Sequence, residues 1–351
     1  MNIQEYVNIK DYSTFKIGGQ FRYFAVISKK EDLPLLYTIA QDDGRYKNIP
    51  VFILGGGSNV VFSDGLLNVI ALKIEIKGFE IVNQIDKYID IKVGSGENWD
   101  HIVNKTVEMN LQGLEALSAI PGTVGATPVQ NVGAYGSEVK DTILEVEVFD
   151  TTDFEIKTIP NRDCHFGYRD SIFKNEAKGR YIITAVIYKL MNYDFYKQYL
   201  AGLPVMNYPG VKKYFIERKI ENPTLKQIRD VIIEIRKEKL PNPSEIPNAG
   251  SFFKNPIIEN SISEKIKIEF PDLKFFPIDE KLTKIPAGWL IENAGLKGKS
   301  FGNISVYDKN ALVLINNGNA TKDDLAKAKN EIIKIVENKF GITLEQEPEM
   351  I

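Results

Sequence analysis

The stretch Ile120-Pro121-Gly122-Thr123-Val124-Gly125-Ala126-Thr127-Pro128-Val129-Gln130-Asn131-Val132-Gly133-Ala134-Tyr135-Gly136 carries four glycines, two prolines and no charged side chain. Solvated linkers are usually polar, so this run reads as backbone packed tightly around something. A second glycine-rich segment, Leu54-Gly55-Gly56-Gly57-Ser58-Asn59, follows the apolar strand Pro50–Leu54. Without Cβ atoms its amides can converge on an anion such as a diphosphate, although a glycine-rich β-turn explains the segment by itself equally well. It is not a dinucleotide fingerprint, because the G-x-G-x-x-G spacing fails and a strand, Val60-Val61-Phe62, follows. Gly298-Lys299-Ser300 is no P-loop either, since position 293, where the motif needs glycine, is Asn. Two separated glycine-rich loops are harder to dismiss as turns than either alone.

Around these loops the first half reads mainly as strands. Phe21–Ile27, Pro50–Leu54, Asn68–Ile74, Tyr88–Val93, Ile143–Phe149, Phe154–Ile159 and Arg180–Leu190 are rich in β-branched or aromatic residues. Lys29–Asp42 and Asn98–Met109 carry apolar residues at helical spacing. Beyond residue 191 the character changes. Met191–Tyr214 contains five tyrosines, and Thr224–Glu238 is a periodic helix halted by Lys239-Leu240-Pro241-Asn242-Pro243. Loops and helices follow with one buried strand, Ala311–Asn316. The last helix, Lys322–Phe340, has Thr321 as its N-cap and Leu325, Ala328, Ile332 and Val336 on one face. A length of 351 residues allows two or three domains, with boundaries near 70 and 240.

The scarce residues limit the chemistry. One cysteine, Cys164, excludes an internal disulfide, and the two histidines, His101 and His165, form no ligand-spaced cluster with it, so no metal site is expected. An enzyme with so few such side chains takes its hard chemistry from a cofactor. A net charge of −3 argues against general affinity for nucleic acid or an anionic membrane. The start of the chain lacks the basic and apolar regions of a secretory signal, and no apolar run approaches a membrane span, so a cytoplasmic location is expected.

Three further sites carry candidate chemistry. In Phe166-Gly167-Tyr168-Arg169-Asp170-Ser171-Ile172-Phe173-Lys174, an arginine stands in a chain with 36 lysines and 8 arginines. That choice suggests a planar fork for a carboxylate or phosphate, while a surface pair with Asp170 is the simpler reading. In Asn248-Ala249-Gly250-Ser251-Phe252-Phe253-Lys254-Asn255-Pro256, Ser251 is either a turn serine or a hydroxyl aimed into a sheltered pocket. The tail Leu344-Glu345-Gln346-Glu347-Pro348-Glu349-Met350-Ile351 reads as solvated unless it docks as a strand.

Together, and in this order, these segments resemble the UDP-N-acetylenolpyruvoylglucosamine reductase family of bacterial peptidoglycan synthesis. Ser13-Thr14-Phe15, Gly94-Ser95-Gly96-Glu97-Asn98-Trp99, Arg236-x-x-Lys239-Leu240-Pro241 and Ala287-Gly288-Trp289-Leu290-Ile291-Glu292 extend the likeness over nearly the whole chain. The resemblance implies an α+β protein. Its FAD-binding fold, of the vanillyl-alcohol oxidase type, would have two subdomains (1–70 and 71–238), with a C-terminal α+β substrate domain (239–340) and residues 341–351 returning to the first subdomain. It implies non-covalent FAD, with Gly55, Gly56, Gly57, Ser58, Asn59, Ile120, Pro121, Gly122, Gly125, Ala126, Thr127, Gln130, Asn131 and Gly133 as cofactor contacts. NADPH is the implied co-substrate.

The implied reaction reduces an enolpyruvyl ether, UDP-N-acetylglucosamine enolpyruvate, to a lactyl ether. Ser251 matches the family's proton donor, Arg169 its cation at the substrate carboxylate, and Glu347 its tail glutamate. Aligning on Glu-Pro-Glu would select Glu349 instead, but Glu347 leaves Ile351 on the family's apolar end position. Tyr168, Tyr208, Lys239 and Asn255 match substrate contacts, and Tyr208 resembles the subclass with a tyrosine loop near 191–214. A monomer is expected. The competing readings are another flavoprotein, oxidising an alcohol or sugar, and a nucleotide-sugar binding protein without activity.

Overall fold

The computed structural model describes residues 2–42, 44–196 and 202–351. Residues 197–201 of the tyrosine-rich segment lie outside them. The chain divides into two compact units. The first comprises Met1–Val7, Phe21–Gly56 and Asn68–Arg236, and the second Asn8–Gln20, Gly57–Leu67 and Lys237–Ile351.

Two sheets form the body of the first unit. In the smaller, the strands are ordered Ile3–Asn8, Gln20–Ile27, Leu66–Ile74, Val51–Leu54, and the last two run parallel with Val51 opposite Ile70. Leu33 and Leu36 of helix Asp32–Asp42 pack on Tyr23, Ala25, Ile27, Ile70 and Leu72. The larger sheet is antiparallel, ordered Glu155–Pro160, Ile143–Asp150, Tyr181–Asn192, Tyr88–Gly94, Phe79–Ile85. Its central strand is buried continuously from Ile182 to Tyr188, which explains its unbroken β-branched and aromatic composition. The edge strand Phe79–Ile85 escapes pattern reading because nearly every side chain on it is exposed. Helix Trp99–Glu108 begins where the Asn98 side chain accepts from the His101 N–H at 3.0 Å, and the buried Trp99 Nε1 donates to the Leu117 carbonyl at 2.9 Å.

In the second unit an antiparallel sheet runs Asn248–Ser251, Val313–Asn316, Ile304–Val306, Ser300–Phe301. The helix Lys322–Phe340 packs Leu325, Ala328, Ile332 and Val336 into the core shared with that sheet. A capping box between Thr321 and Asp324 starts it, and Gly341, at φ +67°, ends it. The expectation of a single strand after residue 191 is corrected. Asn248–Ser251, Ile257–Glu259, Leu282–Lys284 and Ile304–Val306 are strands of three or four residues, too short for alternation to register. The tail adds Glu349–Met350, parallel to Val60–Val61. The chain is an α+β protein, and among the described residues no helix is long and apolar enough to cross a membrane.

Candidate active-site residues

In the first unit the two glycine-rich loops meet. A Cβ on Gly56 would stand 2.7 Å from the Cα of Gly122, and one on Gly55 3.0 Å from the Thr123 hydroxyl. Main chain therefore lies against main chain at Gly56 and Gly122. The second loop is moored by Val124 N–H donating to the Glu97 carbonyl (2.9 Å) and Gly125 N–H to the Ser95 carbonyl (2.8 Å). Its upstream end, Ala119, is held twice. Its N–H donates to Asp100 Oδ1 at 2.6 Å, and its carbonyl accepts from Arg236 Nε at 3.2 Å. Asp100 in turn takes a two-pronged grip from the buried Arg229, at 2.6 and 2.9 Å. Burial opposes the charge on Asp100, but the hydrogen bonds from Arg229 and Ala119 outweigh it and hold the carboxyl below its ordinary range.

A bare-backbone cradle of this kind suits a diphosphate, and FAD is the group that fits it. Not every expected contact offers its side chain. Thr127 is buried and donates to the Val124 carbonyl at 2.8 Å, with Tyr188 OH 3.1 Å away. Asn131 is fully buried, and its carboxamide is engaged by Gly167, Glu138 and Lys140. Gly57, Ser58 and Asn59, downstream on the same loop, belong to the second unit.

Arg169 sits at the tip of a tight turn. Gly167 and Asp170 exchange backbone hydrogen bonds, at 3.0 and 3.3 Å, with Tyr168 and Arg169 between them. The backbone of Arg169 is left-handed, φ +56°, which is uncommon for a non-glycine residue. Its guanidinium donates through Nη2 to the Gly133 carbonyl at 2.9 Å and lies 5.4 Å from the Tyr168 ring centroid. A Cβ on Gly133 would come within 3.1 Å of the Arg169 Nη1 and 2.9 Å of the Glu138 Cγ.

Pattern reading missed a cluster here. Tyr135 meets Tyr208 edge to face, ring centroids 5.0 Å apart, and lies close enough to Arg236 to feel its charge. Burial pushes the Tyr135 phenol up, with Arg236 opposing, and pushes the Arg236 guanidinium down. The signal that singles out Arg169, an arginine in a lysine-rich chain, marks Arg236 equally.

In the second unit Ser251 ends the strand Asn248–Ser251, opposite Val313. The tail runs antiparallel beside the residues that follow it. Lys254 N–H donates to the Glu345 carbonyl, Phe253 bridges Gln346, and Glu347 N–H donates to the Phe252 carbonyl, the two hydrogen bonds each 2.8 Å long. Glu347 is half-buried, one step from Ser251 in this ladder. The backbone of Glu349 instead engages Asn59, its N–H donating to that carbonyl at 3.1 Å. The Ser13-Thr14-Phe15 segment ties these parts together, since Thr14 N–H donates to Gly57 (3.1 Å) and its carbonyl accepts from Asn248 (3.1 Å). Asn255 uses its Oδ1 to accept from Ala287 N–H at 2.9 Å, and Lys239 is exposed at the end of helix Leu225–Lys239. Among the described residues no cluster of His, Cys, Asp and Glu could hold a metal ion.

Comparison with known proteins gives the family and the fold. Residues 24–158 match the family described as FAD binding domain, and residues 242–351 the C-terminal domain of UDP-N-acetylenolpyruvoylglucosamine reductase. The UDP-N-acetylenolpyruvoylglucosamine reductase of Flavobacterium johnsoniae is 42% identical over 351 residues, all of both chains. That of Bdellovibrio bacteriovorus is 38% identical over 99% of both. The crystal structure of the Thermus caldophilus enzyme covers 100% of this chain and 99% of its own, with TM-score 0.67 and 22% identity, and shares the fold.

The FAD-binding region and its glycine cradle define a flavoprotein oxidoreductase. Within that class, the chain belongs to the UDP-N-acetylenolpyruvoylglucosamine reductase family.

Proposed function

We propose that this protein reduces UDP-N-acetylglucosamine enolpyruvate to UDP-N-acetylmuramate, with FAD as cofactor and NADPH as co-substrate, in bacterial peptidoglycan precursor synthesis. The observation that carries the reading is kinship from end to end, 42% identity over all 351 residues. Bound FAD supplies a hydride originating in NADPH. The remainder of the chemistry falls to the protein.

Hydride addition to the terminal vinyl carbon leaves negative charge on the adjacent carbon and its carboxylate. Arg169 binds that carboxylate, where its stabilisation grows as charge develops. Ser251 donates the proton to the carbon. A hydroxyl is a weak acid, but the enolate-like intermediate is a strong base, so alignment rather than acidity governs the step. Glu347, in its protonated form, polarises the enolpyruvyl group. The backbone ladder beside Phe252 supports Glu347 over Glu349 for this role. Tyr168 and Asn255 line the substrate, and Lys239 and Tyr208 contact its UDP portion. We read the chain as three parts, 1–70, 71–238 and 239–340, acting as a cytoplasmic monomer without nucleic-acid partners.

The test is anaerobic reduction by NADPH followed by mixing with UDP-N-acetylglucosamine enolpyruvate. Prompt flavin reoxidation is expected. A flavin that ignores this compound but is rapidly reoxidised by oxygen would overturn the reading in favour of an oxidase.

A further inference from the structure

Asn131 was expected to contact the cofactor, yet its side chain is occupied elsewhere. Its Nδ2 donates to the Gly167 carbonyl at 2.8 Å and to Glu138 Oε2 at 3.0 Å, while its Oδ1 accepts from the Lys140 N–H at 3.1 Å. The residue is 0% exposed, so these bonds form where an unmade one is costly.

The two ends of this clamp are the two supports of Arg169. Gly167 opens the turn that carries Arg169 in its left-handed conformation. Glu138 lies on the short hairpin opposite Gly133, the residue whose carbonyl receives the Arg169 guanidinium at 2.9 Å. One carboxamide thus sets the distance between the arginine's backbone and its side-chain acceptor. Ser171, donating to the Val129 carbonyl at 2.6 Å, fixes the far side of the same turn to the same segment.

We propose that Asn131 is a positioning residue for Arg169, holding the guanidinium in register for the substrate carboxylate, rather than a cofactor ligand. The inference rests on the reading of Arg169 given above. A misplacement on the order of 1 Å at such a cation lowers the rate by about 100-fold.

The experiment compares two half-reactions in the FAD-loaded enzyme. Asn131→Ala should keep wild-type flavin content and wild-type reduction by NADPH, while reoxidation by UDP-N-acetylglucosamine enolpyruvate falls by about 100-fold. Asn131→Asp, which keeps shape and the acceptor for Lys140 but loses the donors, should behave likewise. In an Arg169→Lys background the same Asn131 changes should alter reoxidation by about twofold or less, because their effect is routed through the missing fork. Wild-type reoxidation in both Asn131 variants, loss of flavin from both, or an undiminished effect in the Arg169→Lys background would each overturn the proposal. Normal reoxidation by Arg169→Lys alone would instead bring down the reading of Arg169, and the proposal with it.

Discussion

The backbone N–H of Glu347 donates to the carbonyl of Phe252 at 2.8 Å, across 95 positions of sequence, and so seats the main chain of a glutamate beside the residue that follows Ser251. The main-chain spacing between the proposed proton donor and its proposed partner acid is thereby set by peptide geometry. Glu349, two residues on, pairs with Asn59 and Val60 instead. Glu347→Ala should lower substrate-driven flavin reoxidation by about 100-fold, within the range for loss of an acid–base group. Glu349→Ala should leave it nearly unchanged. Stopped-flow absorbance of the two variants decides between the residues.

Ser251→Ala separates the halves of the cycle. Flavin reduction by NADPH should persist at its normal rate, while turnover on the enolpyruvyl substrate falls by about 100- to 10,000-fold. Near-normal turnover would remove Ser251 as the proton donor.

Gly56 has no space for a side chain, because the obstruction is the main chain of Gly122 at 2.7 Å. Gly56→Ala must push the two loops apart. The purified variant should carry little flavin, measured as the ratio of absorbance near 450 nm to that at 280 nm (standard flavin readout, about 450 nm). A fully yellow protein would contradict the cradle.

The Asp100–Arg229 pair predicts an acid-dependent loss of stability. Its folded carboxyl is held below the ordinary value despite burial, so the stabilisation is present above about pH 4, the unfolded value, and is lost as pH falls through the folded one. Arg229→Met should lower stability at pH 7 by about 1–3 kcal/mol, a figure discounted from fully buried pairs because Asp100 is partly exposed. The deficit against wild type should shrink as the pH drops below 4 in urea titrations.

Cys164 is fully buried, and burial pushes its thiol up to about 12. The native protein should resist thiol-specific reagents at pH 8 and label fully in denaturant. Rapid native labelling would show that its surroundings open.

Much of the architecture was legible because strong local signals agreed with tertiary context. The helix Lys322–Phe340 announced its cap and its buried face, and the apolar run around Val186 its central place in a sheet. Short strands were not legible. Ser251 reads equally well as a turn serine because its strand is four residues long and its partner, Val313, is 62 positions away. The glycine loops stood out by composition, but their cofactor came from the family resemblance, and which of their side chains face inward did not show. Asn131 and Thr127 match cofactor contacts of the family, and only the structure reveals that their side chains are hydrogen-bonded within the protein. Tyr135 and Arg236 stood in quoted segments, but their pairing went unmarked. Scarcity marks the arginine, but nothing local joins it to a tyrosine 101 positions away.

The ladder between the tail and Phe252 also acts as a clock. The Glu347 amide can exchange its hydrogen with solvent only while that strand is lifted. Its exchange therefore reports how far the tail parts from Phe252, and sets an upper limit on the fraction of time the proposed acid is out of place.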